Sequence, residues 1–223
     1  MLRKKETQKS SSELIPILIA IITLTIIISF KDLFSQNLSN LSKYFLSSII
    51  IILIAVFSKK ISANFLELNV THKTWFVSRW GHKIQDTLKT PAPFGIILPL
   101  ILSLFSLGSI KLMTLLTYET TQKSQRNVKM FQHVAPYTEQ TDFHIMLVGA
   151  SSIVSLLILS LILFLIPSNS TLLMLGKFST FYALSNLMPF SRLDGAHIFY
   201  GSRSWWFTLA TISILLFIYA LFI

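Results

Sequence analysis

An aspartate and a histidine lie three residues apart, Asp194 and His197, next to a long apolar region of the chain. An ionisable group at membrane depth is costly, so it marks a candidate functional site. On a helix, residues three apart project to a similar side, and carboxylate and imidazole are both zinc ligands. The alternative is structural, because Ser191 or Asp194 could cap a helix that runs through His197. The two side chains therefore predict either a metal site or a helix start.

The residues around Asp194 favour a carboxylate that faces a cavity. Pro189 lacks a backbone donor and opens the preceding helix, and Gly195 permits close backbone approach. With Asn186 and Leu193 they form the pattern Asn-Leu-x-Pro-x-x-x-Leu-Asp-Gly. This pattern resembles the second zinc-ligand motif of the site-2-protease family of intramembrane metalloproteases. The resemblance implies that Asp194 stands where the family's aspartate binds zinc, beside two histidines of an H-E-x-x-H helix.

The chain contains no H-E-x-x-H. Ser78-Arg79-Trp80-Gly81 is similar to the Arg-aromatic-Gly end of that family helix, and upstream His72 matches its second histidine. Leu68 and Asn69 then stand where the first histidine and the glutamate belong. Leu68 cannot bind metal and Asn69 cannot accept a proton, whereas the family helix needs both functions. We therefore predict no proteolysis. The alternative for His72 is an interfacial histidine on a helix.

A second, weaker likeness lies at Val148-Gly149-Ala150-Ser151-Ser152. It is similar to the Gly-Pro motif at the start of the family's middle core helix, with Ala150 in place of the proline and Ile153 in place of an asparagine. The alternative is that small residues such as Gly149 only allow close helix packing. The resemblance to the family covers roughly residues 62–205.

The composition predicts an all-α, polytopic helical membrane protein. Of 223 residues, 52% are hydrophobic and 13% are charged, with a mean hydropathy of +0.66. A soluble domain carries about 25% charged residues. No alternation of polar and apolar residues repeats along the chain as a membrane barrel requires. Apolar runs predict about six transmembrane helices, near 14–30, 44–58, 94–116, 143–166, 171–190 and 204–223.

These runs also suggest the domain organisation. We expect a polar tail at 1–12, two extra N-terminal transmembrane helices at 13–58, a site-2-protease-like core at 59–205 and a C-terminal transmembrane helix at 204–223. Within the core, 61–80 is predicted to be helical because Gly and Pro are absent until Gly81. The polar loop at 117–142 is long for a connection, and it could be a cap, a pairing surface or a mobile loop.

The net charge of +10 indicates membrane topology and not nucleic-acid binding. The basic residues are scattered between apolar runs, with no basic face interleaved with aromatics. The basic tail predicts a cytoplasmic N-terminus, and residue usage suggests a microbial cell membrane. With six crossings, three basic residues would lie outside the cytoplasm, which the same rule disfavours. Those residues are Lys123, Arg126 and Lys129. The chain has no cysteine, which excludes disulfides and thiolate zinc sites.

Three functions fit these features. The first is a catalytically inactive family member without a cofactor, acting as a structural or binding subunit in a larger membrane complex. Its partners would be the bilayer and other integral membrane proteins, contacted through transmembrane helices. The second is an active metalloprotease with a rearranged zinc site of His72, Asp194 and His197, and Glu67 as a base. The third is a small transporter or channel, for which only Asp194 and Lys111 could supply intramembrane charges.

Overall fold

The computed structural model describes residues 2–34, 38–79, 87–122, 141–166 and 169–222. These residues are mostly helical, as the composition predicts, with four short strands. The elements in chain order are α1 (Leu2–Phe34), a 3-10 turn (Leu38–Asn40), α2 (Leu41–Phe65), β1 (Leu68–Thr74), β2 (Val77–Arg79), β3 (Thr87–Ala92), α3 (Phe94–Phe105), β4 (Leu116–Gln122), α4 (Asp142–Leu165), α5 (Ser170–Asn186), α6 (Asp194–Gly201) and α7 (Arg203–Phe222).

Four of the described helices are long and apolar enough to cross a membrane. They are the part of α1 at Glu13–Phe34, all of α2, all of α4 and all of α7. These four correspond to four of the six predicted spans. The other two predicted spans contain shorter helices, α3 with 12 residues and α5 with 17. At about 1.5 Å per residue, α5 is about 25 Å long and α3 about 18 Å.

The helical prediction for 61–80 is wrong for residues 66–79, and residue 80 lies outside the described part of the chain. Helix α2 ends at Phe65, and Glu67 takes a left-handed φ of 56° at the turn that follows. Along β1 every second side chain is buried, beginning at Leu68, while Asn69 and Lys73 are exposed. Alternate burial is the pattern of a strand with one buried face. The absence of Gly and Pro permits a helix, but the two-residue period decides for a strand.

The predicted span at 94–116 is likewise replaced by a shorter helix and a returning chain. Helix α3 ends at Phe105, and the positive φ angles of Leu107 and Gly108 reverse the backbone. The chain then runs without helix to β4, which pairs with β1, while β2 and β3 form an antiparallel pair. Gly108 at φ 77° adopts a conformation that favours glycine.

The chain forms two compact units, residues 1–52 with 72–117, and residues 53–71 with 118–223. In the first unit α1 packs on α3, and the hydroxyl of Tyr44 donates to Asp32. In the second unit α4 is central and packs on α5, α6 and α7. A small apolar core joins the end of α2 to the strands and α4. Its buried members are Ala63, Leu68, Val70, Tyr118 and Val148.

Helices α4 and α5 form the antiparallel hairpin that the sequence predicts. The hydroxyls of Ser160 and Thr180 hydrogen-bond, and Gly176 lies against Phe164, so numbers rise on one helix as they fall on the other. The predicted turn at 167–170 is only partly visible, because 167 and 168 lie outside the described residues. The polar loop at 117–142 begins as β4, and its residues 123–140 also lie outside the described part.

Candidate functional site

Asp194 is the first residue of α6, not its cap. Helix α5 ends at Asn186, and the connection through Pro189 includes Ser191 at a left-handed φ of 54°. The N-cap position is held by Leu193, which has no side-chain capping bond. The capping alternative for Ser191 or Asp194 is therefore wrong. A carboxylate in the first helical turn still interacts favourably with the helix dipole.

The carboxylate of Asp194 is bound by a lysine that the sequence analysis did not single out. The Nζ atom of Lys59, on α2, lies 2.8 Å from Oδ1 and 2.7 Å from Oδ2 of Asp194. The hydroxyl of Ser152, on α4, donates to Oδ2 at 3.0 Å. The two charged side chains are 4% and 2% exposed. Both carboxylate oxygens are thus engaged by protein donors, in a place almost closed to solvent.

Tyr118 of β4 supports the lysine. Its ring centroid lies 4.8 Å from Nζ of Lys59, within cation–π range. Its hydroxyl donates to the carbonyl of Ile145 at 2.7 Å and lies over α4 at Gly149, which has no side chain. A Cβ at Gly149 would lie 2.6 Å from that hydroxyl oxygen. Burial first, and then the negative charge of Asp194, raise the pKa of Tyr118 well above its usual range. Tyr118 therefore acts as a neutral donor.

His197 lies one turn after Asp194, and its ring packs on Tyr118 with centroids 5.1 Å apart. Burial lowers the pKa of His197, an effect that Asp194 opposes and Lys59 reinforces. Burial thus favours the neutral imidazole. The sequence prediction that Asp194 and His197 share a side of one helix fits this arrangement. The cation at the carboxylate, however, is Lys59.

The remaining motif residues around Asp194 hold the connection in place. A Cβ at Gly195 would lie 2.0 Å from the carbonyl oxygen of Leu187, so close backbone approach is required there. That same oxygen accepts the indole N–H of Trp206 at 2.9 Å. Asn186 is buried and donates to the carbonyl of Tyr182, and Leu193 is fully buried. These residues fix the position from which Asp194 reaches Lys59.

The proposed remnant of the H-E-x-x-H helix is not a helix. Leu68, Asn69 and His72 lie on strand β1, where residues four apart are about 13 Å apart along the chain. His72 is buried in the first unit, whereas Asp194 and His197 belong to the second. Among the described residues, no group of three His, Cys, Asp or Glu side chains could hold a metal ion. Asp194 and His197 lie together on α6, and His72 lies on β1.

Sequence reasoning found Asp194 but missed Lys59, Ser152 and Tyr118. The missed signal was Lys59, which lies inside α2 only six residues before its end. A lysine within an apolar span requires a counter-charge, just as an aspartate does. Pairing these two opposite charges would have predicted the contact between α2 and α6.

No family model, no curated protein and no solved structure matches this chain.

Proposed function

We propose that the chain is a catalytically inactive, intramembrane-protease-like membrane protein that serves as a structural or binding subunit of a larger membrane protein complex. The observation that carries the proposal is the buried ion pair of Lys59 and Asp194. The ammonium of Lys59 supplies the positive charge that a zinc ion would bring to the same carboxylate. The ion pair occupies the place at which a zinc hydrolase needs an open site.

Zinc hydrolysis needs three protein ligands, an open coordination position for water, and a general base. Asp194 has both of its oxygens in contact with Lys59, and one of them also accepts from Ser152. A metal ion at this carboxylate would have to displace the ammonium or accept its repulsion at close range. Both options cost free energy in a buried, low-dielectric place. This supports a site without metal chemistry.

The helix that faces Asp194 offers no replacement for the missing residues. An H-E-x-x-H helix places histidines at i and i+4 and the glutamate at i+1. Around Lys59 on α2, those positions hold Ser58, Lys59 and Ser62. The hydroxyl of Ser58 donates to the carbonyl of Ile54 within its own helix. Serine is a poor zinc ligand at neutral pH, and lysine cannot act as the glutamate does. This supports the absence of proteolysis.

The surface of α7 supports a role in binding other membrane proteins. Only 17% of its apolar stretch is buried, compared with 56% in α4. The exposed residues are large and apolar along most of its length. They include Phe207, Ile212, Leu215, Ile218, Tyr219 and Phe222. Such a helix can pack against the transmembrane helix of a partner, and lipid is the competing occupant.

Metal content tests the catalytic part of the proposal. We expect detergent-purified wild-type protein to contain no stoichiometric zinc by elemental analysis, and Asp194→Ala to give the same background. Glu119→Ala serves as the control, because it removes an exposed carboxylate outside the buried pair. About one zinc ion per chain in the wild type and in Glu119→Ala, lost in Asp194→Ala, would show a metalloenzyme instead.

Site-specific photo-crosslinking in native membranes tests the binding part. A photoreactive residue at Leu215, which is 62% exposed, is expected to capture another integral membrane protein. The matched control is Ser213 on the same helix, which is fully buried in the chain. If Leu215, Ile212 and Tyr219 all yield only lipid adducts, α7 faces lipid and the proposed partner surface on it does not exist.

A further inference from the structure

The directions of α2 and α4 in the second unit bear on how the chain crosses the membrane. The hydroxyl of Ser151, on α4, donates to the carbonyl of Ser58 at 3.2 Å. Further along α2, Ala63 packs in the same core as Val148. The numbers rise on α2 as they fall on α4, so the two helices are antiparallel. If the chain crossed the membrane once between α2 and α4, these two helices would run parallel to each other.

The chain between these helices returns to the point from which it leaves. It departs from the second unit at Thr71 and comes back at Tyr118. The hydroxyl of Thr71 lies 3.5 Å from the carbonyl oxygen of Glu119, and Tyr118 packs beside Ala63 near the end of α2. Strand β4 thus ends beside the start of β1. The beginning and the end of the segment between α2 and α4 therefore lie side by side.

The same closure is found inside the first unit. The N–H of Trp75 donates to the carbonyl of Leu115 at 3.1 Å, and the carbonyl of Trp75 accepts from the N–H of Gly95 at 2.9 Å. Trp75 therefore contacts both the start of α3 and the segment by which the chain returns from α3. Between them, α3 is about 18 Å long, whereas the hydrocarbon core of a bilayer is about 30 Å thick.

We infer that the chain leaves α2 and enters α4 on the same side of the membrane, so that the segment between them, described at residues 66–79 and 87–122, is a re-entrant excursion. The excursion adds no crossing between α2 and α4. Helices α1, α2, α4 and α7 are long enough to cross, and α5 runs back antiparallel to α4. With these five as the crossings, the N-terminus and the C-terminus lie on opposite sides. The inference does not depend on the proposed function, because it uses only helix directions and backbone contacts.

Charge supports the inference independently of geometry. With six crossings, Lys123, Arg126 and Lys129 would fall in a segment on the side opposite the basic N-terminal tail. With the re-entrant excursion, the flanks of that segment lie on the same side as the tail. Arg192, which precedes α7, and Arg203, its first residue, then lie on this side as well. Short loops rich in Lys and Arg face the cytoplasm, so this side is the cytoplasmic one.

The assignment also gives the ion pair a side. Lys59 lies six residues before the end of α2, and the segment from Leu187 to Ser202 that carries Asp194 connects α5 to α7 on that side. The exposed pair of Arg192 and Glu119, with 3.9 Å between charged atoms, lies on the same segment and on β4. A partner that contacts this end of the second unit must therefore approach from the cytoplasm.

Single cysteines test the inference directly, because the chain contains no cysteine of its own. The variants Ser39→Cys, Thr121→Cys, Ser204→Cys and Leu221→Cys each place one thiol at an exposed position. Intact cells are treated with a membrane-impermeant maleimide, and permeabilised cells provide the control for reactivity. We expect Ser39→Cys and Leu221→Cys to be labelled in intact cells, and the other two only after permeabilisation.

One result would overturn the re-entrant excursion, and another would overturn its cytoplasmic assignment. Labelling of Thr121→Cys together with Ser39→Cys in intact cells would show a crossing between α2 and β4. Labelling of Thr121→Cys without Ser39→Cys would keep the excursion but reverse the cytoplasmic assignment. Asp142→Cys, exposed at the start of α4, replaces Thr121→Cys if that thiol does not react even in permeabilised cells. It is expected to label as Thr121→Cys does.

Discussion

At the scale of single residues, the second unit is organised around one lysine and one aspartate that almost no solvent reaches. Lys59 and Asp194 contact each other through both carboxylate oxygens, and Ser152 and Tyr118 complete their surroundings. A buried ion pair often stabilises a protein no more than well-packed apolar residues would. Removing one partner alone is costly, because the other is left as an uncompensated charge. The pair therefore specifies the arrangement of α2 and α6 more than it adds stability.

Removing Lys59 tests this directly. We expect Lys59→Met to lower the free energy of unfolding in detergent by about 3–5 kcal/mol, because Asp194 loses its counter-charge in a buried place. The matched control is Lys60→Met, which removes the adjacent, exposed lysine and should change stability by no more than about 0.5 kcal/mol. Denaturation followed by tryptophan fluorescence measures both. Equal losses in the two variants would contradict the role of Lys59.

His197 predicts a pH dependence of stability. Burial lowers its pKa in the folded protein below the ordinary value of about 6.5. The unfolded state therefore binds more protons as the pH falls through about 6.5, and stability decreases with falling pH down to the folded pKa. The charged groups that act on His197 are Asp194, Lys59, Arg192 and Asp142.

The measurement for His197 is the midpoint of thermal unfolding between about pH 8 and pH 5. We expect His197→Gln, which cannot be protonated, to lose less stability over this range than the wild type. The carboxylates contribute equally to both proteins, so the difference between the two curves belongs to His197. Identical curves would show that the imidazole is not held neutral by burial.

Which site residues could be predicted from the sequence depends on how local their signals are. Asp194 stands out because Pro189 and Gly195 mark its connection within ten residues. Lys59 is 135 positions away, and nothing near it in sequence points to Asp194. His72 matched a motif letter but lies on a strand, where the motif's helical spacing has no meaning.

At the scale of elements, the connection from α5 to α6 sets where Asp194 stands. Gly195→Ala should lower the free energy of unfolding strongly, by about 2–4 kcal/mol, because its Cβ would overlap the backbone of Leu187 at 2.0 Å. Gly176→Ala is the control within α5. Its Cβ would meet the ring of Phe164 at 2.9 Å, which a side chain can relieve, and alanine favours a helix. A larger loss in Gly176→Ala would contradict this account of the connection.

Helix α4 contributes one hydroxyl to the ion pair. Ser152→Ala removes a hydrogen bond to a charged group, so we expect a loss of about 1.5–3 kcal/mol in the free energy of unfolding. The control is Ser155→Ala, whose hydroxyl bonds only to the carbonyl of residue 152 in its own helix. That loss should be about 1 kcal/mol or less. Urea or thermal unfolding of both variants in one detergent decides the comparison.

The long helices were predictable because an apolar run of this length in a membrane must form a helix or a strand of a closed barrel. The strands were not predicted, although β1 shows the two-residue alternation of Leu68, Val70, His72 and Thr74. The error came from treating the absence of Gly and Pro as a sign of helix. For α3 the apolar run was real, but hydropathy does not detect that the backbone turns back at Gly108.

At the scale of the whole molecule, four described helices have the length and composition of membrane spans. These helices explain the apolar composition of the chain. The ion pair with Lys59 explains how the carboxylate of Asp194 can be buried at the end of an apolar region. The family resemblance implied a zinc ligand at Asp194. The structure gives that carboxylate a lysine instead, and the proposed non-catalytic role follows from this replacement. The claim that Lys59 is the cation of Asp194 is therefore the centre of the account.

A double-mutant cycle tests that claim most directly. The free energy of unfolding is measured for the wild type, Lys59→Met, Asp194→Leu and the double variant in the same detergent. We expect each single variant to be strongly destabilised and the double variant to lose less than the sum of the two single losses, by a coupling energy of about 2–3 kcal/mol. Losses that add to within about 0.5 kcal/mol would contradict the claim, because independent residues behave in that way.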